Sequence, residues 1–389
     1  MQKYNKLKGL FIGSLLPTEK NPEAGIFYYK LIFKLKDYLD EIYVIYPKKI
    51  NTIFLNNNDK SLYRFSSIFK RPYFISLGFL RHFKIIYKYI NFVCFLSFYL
   101  AIKRSFKKNF SKKYINPDFI YSHFISPAGL AGAILSKEMK IPCFVAVGES
   151  SLDYLNNLPR KFLFSYLNNI DFFISVNKKN AAILNEKYSI NKKLIYIIPN
   201  EADEKIFFKQ KRFKHKKELN LSENKKNILF VGSLTYRKGF DIFLKLAESN
   251  SNYNFIVIGR DPGRLYLNLN KIKNINYIGV KSQKIIAKYM NSCDLFALYS
   301  RYEGSPNVLI EAKATGLPIL CSNINEHKEL LGEDQAFYSS TLDDDIIDDL
   351  DIIFDSEKYK SLTKKETLKK SNSLSSRGSQ IMDIINKHI

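Results

Sequence analysis

Short apolar runs recur along the chain, most of them ending at Gly, Ser or Asn and followed by a helix-length segment whose apolar positions return every three or four residues. The runs are Gly9–Ile12, Ile42–Ile45, Phe119–Tyr121, Cys143–Val147, Phe172–Val176, Ile228–Val231, Phe255–Ile258, Leu295–Leu298 and Ile319–Cys321. They are too uniformly apolar to keep one face wet, which predicts parallel strands covered by helices on both sides of a sheet, an α/β fold. The Pro/Asn break Ile197–Asp203, followed by the polar, basic stretch Lys209–Lys226, predicts a boundary between domains 1–200 and 201–372. A length of 389 residues suits two doubly wound domains, with substrate bound in a cleft at the C-terminal edges of the strands.

Charge changes this picture. The chain carries 61 Lys+Arg against 37 Asp+Glu, a net +24, and a surplus of that size points to phosphate on a partner. Residues 1–200 hold 31 basic and 12 acidic side chains, whereas residues 201–389 hold 30 and 25. Within the first half, Lys60–Pro117 has 13 basic residues, no acidic ones, and Phe and Tyr interleaved. A coding bias toward Lys would inflate both halves alike and does not place the surplus. Three readings of this stretch stand open: a surface on an anionic bilayer, a nucleic-acid site, and a core helix with a Lys-rich outer face. No helix-turn-helix, zinc-finger or RNP-like pattern supports the second. Tyr89–Ile102, a weakly charged stretch between Lys88 and Lys103, is 14 residues, short of the ~20 that span a bilayer, and no transmembrane helix is expected. Lys3, Lys6 and Lys8 before Gly9–Leu16 loosely imitate a signal peptide, but no small-x-small site follows, and a first strand explains the run. Cys94, Cys143, Cys293 and Cys321 are far apart, without Cys-x-x-Cys or a nearby His, which predicts reduced thiols and no metal site. The aspartates Asp343–Asp345, Asp348, Asp349 and Asp351 read as a solvated helix face.

Two windows carry candidate chemistry. In Cys293–Glu329 a strand leads through Gly304–Pro306 into a helix over Asn307–Thr315, with Pro306 suiting its first turn and Gly316 its end. Free N–H groups around Asn307, Val308 and Leu309 then make an anion site. Glu303 and Glu311 flank it. One reading makes them a helix cap and a surface ion pair; the other makes both carboxylates acceptors for the vicinal hydroxyls of a sugar. In Asn227–Leu246 a buried strand ends at Gly232, and Arg237-Lys238-Gly239 opens an amphipathic helix. Two cations at a helix N-terminus oppose the local dipole unless an anion shares the site, which favours a diphosphate.

These windows resemble the donor-binding domain of the retaining glycosyltransferases of family 4. The resemblance rests on Glu303…Glu311, the E-G-x-P-N run Glu303–Asn307, E-A-x-A-x-G-x-P at Glu311–Pro318, and V-G-x-L-x-x-R-K-G at Val231–Gly239. It extends to Asn21–Phe27, to Asp118–Gly132 with His123, and to Pro199-Asn200 with Asp203. Ser233 stands where family members often carry Arg, Tyr121 where a His is common, and Val147–Ser150 replaces the usual H-G-x-D.

The resemblance implies a GT-B fold, two Rossmann-like domains facing each other across a cleft, with a C-terminal helix over 373–389 returning to the N-terminal domain. It also implies retaining transfer of a sugar from a nucleotide diphosphate donor, with no cofactor or metal. Glu303, Arg237, Lys238 and His123 would be the catalytic set, His123 as a hydrogen-bond partner of the transferred sugar and Glu149 as a weaker candidate. Gly13, Gly25, Gly232, Gly304, Ser305, Asn307, Val308, Leu309, Glu311 and Val280 would line the donor, Glu311 taking the ribose diol and the segment near Val280 the base. His327 reads as structural. The expected partners are a nucleotide-sugar, a saccharide or lipid-linked acceptor and an anionic membrane surface, with no nucleic acid. The expected setting is polysaccharide assembly at the cytoplasmic face of the cell membrane. A non-catalytic, membrane-bound scaffold of the same fold is the competing expectation.

Overall fold

The computed structural model describes residues 7–14, 25–47, 62–65, 84–110, 116–211, 215–263, 269, 272–339, 349–364 and 376–389. The chain divides into one unit of Met1–Pro199 with Ser375–Ile389, and a second of Asn200–Leu374. The first contains, in chain order, β1 (Lys8–Ile12), α1 (Ile26–Leu35), β2 (Glu41–Pro47), β3 (Leu62–Phe65), α2 (Lys84–Phe110), β4 (Phe119–His123), α3 (Leu130–Met139), β5 (Cys143–Val147), α4 (Arg160–Leu167), β6 (Phe172–Ser175), α5 (Lys178–Tyr188) and β7 (Ile195–Ile197). The second contains β8 (Asn227–Val231), α6 (Phe240–Ser249), β9 (Asn254–Ile258), β10 (Ile275–Gly279), α7 (Gln283–Ser292), β11 (Leu295–Leu298), α8 (Asn307–Thr315), β12 (Ile319–Ser322), α9 (Asn325–Leu331), β13 (Phe337–Ser339), α10 (Leu350–Asp355) and α11 (Glu357–Lys364). The last helix, α12 (Arg377–His388), belongs to the first unit, where Ile381, Met382 and Ile385 join the core.

Each unit is built on one sheet whose paired strands are all parallel. The orders are β3-β2-β1-β4-β5-β6-β7 and β10-β9-β8-β11-β12-β13. β5, β8, β11 and β12 are buried along their whole length, as their unbroken apolar runs require when helices cover both faces. In both sheets the chain starts in the middle, runs outward one way, then returns and runs the other way. The reversal falls between β1 and β4 in the first unit and between β8 and β11 in the second, opening a crevice beyond the carboxyl ends of those strands.

All nine apolar runs in the sequence are strands within a residue or two. The four strands that the sequence pattern does not show, β3, β7, β10 and β13, are the four edges of the two sheets. The described parts of the basic aromatic stretch 60–117 are β3, α2 and residues 116–117, and the remainder lies outside the described residues. Asn21–Ala24 and Asp343–Asp348 also lie outside them. Asp349 is a helix cap, its carboxylate accepting the N–H groups of Asp351 and Ile352 at 2.9 and 3.2 Å.

Candidate active site

In the second unit a cluster of charged groups lies on the loops that follow β8 and β11. After β8, Gly232 N–H donates to Ile258 O at 2.9 Å, and the chain turns through a short 3-10 segment, Tyr236–Lys238, capped by the Thr235 side chain. Gly239 then starts α6 with φ 64°. A Cβ there would lie 1.8 Å from Tyr299 O, so only glycine lets this turn sit on the exit of β11. The two loops are bonded together: Arg301 N–H donates to Arg237 O at 2.9 Å. The Arg301 guanidinium forks onto Asp241 at 2.8 and 2.7 Å, donates to Tyr236 O at 2.6 Å and lies 3.5 Å from the centre of the Tyr236 ring. Such planar, bidentate contacts fix orientation as well as charge.

On this frame Glu303, Arg237 and Lys238 meet. Lys238 Nζ lies 2.5 Å from Glu303 Oε1 and Arg237 Nη1 lies 3.0 Å from Oε2. The buried Ser300 hydroxyl adds a third donor, 2.7 Å from Oε1. Burial pushes the Glu303 pKa up, but Lys238, Arg237 and the hydrogen bonds from Lys238 and Ser300 outweigh it and hold the carboxyl below its ordinary value. The cluster therefore carries two cations and one anion. The anion demanded by two cations before a helix is thus partly supplied by the protein, through Glu303 and through Asp241 in the first turn of α6. His327, buried below, donates from Nδ1 to Ser322 O at 3.0 Å, which leaves Nε2 as the bare nitrogen. Burial lowers its pKa to about 4, so the ring is neutral beside the Glu303–Lys238 pair.

The helix after Glu303 corrects one expectation. Its N-cap is Pro306 rather than a residue before it, and the Leu309 N–H is occupied, donating to Pro306 O at 2.9 Å. Asn307 and Val308 are left at the head of α8, where N–H groups have no carbonyl within the helix. Asn307 is oriented by Asn200, whose amide nitrogen donates to Asn307 Oδ1 at 2.9 Å. Gly316 closes α8 at φ 71°, as a left-handed cap. Glu311 is buried and accepts from Gln283 Nε2 at 3.2 Å, so it is not an exposed side chain in a surface ion pair. Gly304 is buried, Ser305 half-buried, and Val280 exposed just past the end of β10. Ser300, Gln283 and Asn200, which orient Glu303, Glu311 and Asn307, are absent from the sequence-derived set. Ser300 had a local signal, a hydroxyl three residues before the carboxylate that it meets.

Gly13, Gly25 and His123 belong to the first unit. Gly13 follows β1 and donates to Ile45 O at 3.2 Å; the Tyr28 ring fills the space that a side chain would need. Gly25 caps α1 at φ 67°. His123 ends β4 and stacks on Tyr28, ring centres 4.9 Å apart. Burial, with Arg377 nearby, lowers its pKa to about 3, so it is neutral, and its buried Nδ1 has no hydrogen-bond partner among the described residues. At the end of neighbouring β5, Glu149 Oε1 accepts from Ile125 N–H and from Tyr154 OH, both at 2.7 Å. Burial outweighs these bonds and raises its pKa. In both groups burial thus shifts the balance toward the uncharged form.

With this geometry in place, likeness to known proteins is informative. The family model for glycosyl transferases group 1 matches residues 211–370. An uncharacterised glycosyltransferase of Methanocaldococcus jannaschii is 28% identical over 55% of this chain, a match spanning 58% of that protein's own length. The N,N'-diacetylbacillosaminyl-diphospho-undecaprenol alpha-1,3-N-acetylgalactosaminyltransferase of Campylobacter jejuni is 29% identical over 77% of this chain and 78% of its own. Among solved structures, Anabaena HepE in complex with UDP and glucose superimposes with a TM-score of 0.64 at 16% identity, covering 98% of this chain and 97% of that one. The fold is GT-B-like, and the residues that match the model for glycosyl transferases group 1, 211–370, carry the Arg237–Lys238–Glu303 cluster.

Proposed function

We propose that the chain is a retaining glycosyltransferase that moves a sugar from a nucleoside diphosphate donor to a saccharide acceptor, lipid-linked and presented at a membrane surface, in the assembly of a cell-surface polysaccharide. The observation that carries the reading is the buried Glu303 carboxylate held between Lys238 and Arg237 at the β8/β11 crevice. Departure of a nucleoside diphosphate builds negative charge on its outer phosphate, and two cations already fixed in place stabilise that charge without reorganising. Arg237 and Lys238 supply that charge in a metal-independent transfer, and the first-turn N–H groups of Asn307 and Val308 add to it. Glu303 keeps the two cations from drifting apart and presents its carboxylate to hydroxyls of the donor sugar. Glu311, steadied by Gln283, takes the ribose diol. A neutral His123 suits a partner for a sugar hydroxyl, since it both accepts and donates without bringing a charge to the reacting carbon.

The family match and the C. jejuni relative, whose name describes transfer to a diphospho-undecaprenol-linked sugar, support the reading. Its test is a thermal-shift panel of UDP-, GDP-, ADP- and CDP-sugars, since a bound donor raises the melting temperature by mass action. Slow hydrolysis of the sugar nucleotide that shifts the protein follows, and is lost in Glu303→Ala and Lys238→Ala. No shift with any donor sinks the enzyme reading and leaves a scaffold of the same fold.

A further inference from the structure

We infer that the outer face of α2 is a docking surface for an anionic lipid bilayer, on which the helix lies rather than crosses. The inference rests on the reading of a membrane-presented acceptor and gives it a place on the molecule.

α2 is apolar on two sides. Its inner side is buried through Cys94, Phe95, Phe98 and Ile102, part of it in the core of the first unit. Its outer side also carries large apolar groups: Tyr89 is 55% exposed, Val93 53% and Leu100 44%. At about 100° per residue, these three and the basic Arg104 and Lys107 fall within roughly 60° of one another, one stripe about 27 Å long. Lys108 flanks it. Scattered exposed apolar side chains are ordinary on a protein surface, but a stripe of them on a helix whose other side is already packed has no folding role. On the neighbouring α4, Phe162 is 37% exposed and stacks on Phe92 of α2 at 4.2 Å, which widens the apolar area beside Arg160 and Lys161.

Charge decides the occupant. From Lys84 to Phe110 there are six Lys or Arg and no Asp or Glu. Lys103 is paired with Glu138 on α3, but Arg104, Lys107 and Lys108 stand at the solvent face with no ion pair among the described residues. Apolar side chains with cations at one end of the same stripe fit the boundary between acyl chains and anionic headgroups. A duplex nucleic acid offers phosphates but nothing for Tyr89, Val93 and Leu100. Crossing is ruled out for this helix, because the 14 residues between Lys88 and Lys103 cover about 21 Å of a ~30 Å hydrocarbon core.

The test is co-sedimentation of the full chain with vesicles of phosphatidylglycerol and phosphatidylcholine, or of phosphatidylcholine alone. Binding is expected to the anionic vesicles only and to weaken in high salt. Lys107→Gln with Lys108→Gln is expected to lower vesicle affinity about thirty-fold, and Val93→Gln with Leu100→Gln to abolish the binding that survives high salt. Both variants keep the wild-type melting temperature and the wild-type shift with nucleotide, because neither position touches the Glu303 cluster. Failure of the enzyme reading shows as a lost nucleotide shift with vesicle binding intact, so the two are separable. Equal binding to both vesicle types, unchanged binding of either variant, or retention on duplex DNA that the Gln substitutions abolish overturns the inference.

Discussion

Replacing Glu303 by Gln removes one negative charge and almost no volume, so it isolates the electrostatics of the cluster. The wild-type carboxylate compensates an ammonium whose side chain is 14% exposed and a guanidinium that is 34% exposed. Breaking a fully buried pair costs about 3–5 kcal/mol. The Arg237 arm is a third open to water, where an ion pair is worth about 1 kcal/mol or less. A Gln oxygen still accepts from Lys238 and Ser300. These discounts leave an expected loss of about 2–3 kcal/mol. For a unit of 175 residues, Asn200–Leu374, that is roughly 5–10 °C in melting temperature by differential scanning fluorimetry.

The same substitution has an opposite signature with ligand. In the wild type a diphosphate must share Arg237 and Lys238 with Glu303; in Glu303→Gln it does not. The melting-temperature rise produced by a saturating nucleoside diphosphate is therefore expected to be larger in the variant, even as sugar transfer falls. The pH dependence follows from the lowered folded-state pKa. The unfolded carboxyl binds its proton more readily, so the stabilisation is complete above the unfolded value of about 4.3 and is lost as pH falls through the folded value. The gap between wild type and variant should close in that acidic range. A variant as stable as wild type at neutral pH, with an unchanged diphosphate response, would refute the cluster's role.

Other outcomes follow from single contacts. Gly239→Ala forces a Cβ against Tyr299 O and should lower unit stability by about 3 kcal/mol or more, read as an early transition in urea. Arg301→Lys loses the fork onto Asp241 and the stack on Tyr236; it should slow transfer despite keeping its charge, and a wild-type rate would show that the brace is dispensable. The His123 ring, with a pKa lowered to about 3, should show no protonation step between pH 5 and 8 in its NMR resonances; a step near 6.5 would place it in water. Cys143 and Cys321 are buried thiols with raised pKa, Cys321 at about 12, and should resist a thiol reagent at pH 8 until the protein is unfolded.

How much of this was legible in the sequence depends on burial. An inner strand is covered on both faces and flanked on both edges, so its sequence collapses to an apolar run. An edge strand keeps water on one side, and β10 reads Ile-Asn-Tyr-Ile-Gly with one buried position in five. β7 has none. The same logic separates the parts of the site. Glu303, Arg237 and Lys238 are legible because charge beside a buried strand end is unusual and because they fall in a motif. Ser300 and Gln283 are ordinary polar residues whose importance comes from the fold that brings each beside a partner, and Asn200, although it falls in the Pro199-Asn200 pair, meets Asn307 across 107 positions. The free Leu309 N–H failed as an expectation because a Pro306 cap tightens the first turn enough for its carbonyl to take that group.

The placement of α12 in the first unit also sets an order of events during synthesis. Ile381, Met382 and Ile385 fill the first unit's core, and Arg377 donates to the carbonyls of Ile198 and Pro199 at that unit's other end. None of these groups exists until the 175 residues of the second unit have been made. At about 5–20 residues per second, the ribosome leaves the first-born sheet waiting roughly 10–35 s for its last helix. The second unit, begun later, is then the first able to close, and the half with the large positive surplus spends that interval with an apolar seam uncovered. A stop codon before Arg377 would damage the half of the molecule farthest from it in sequence.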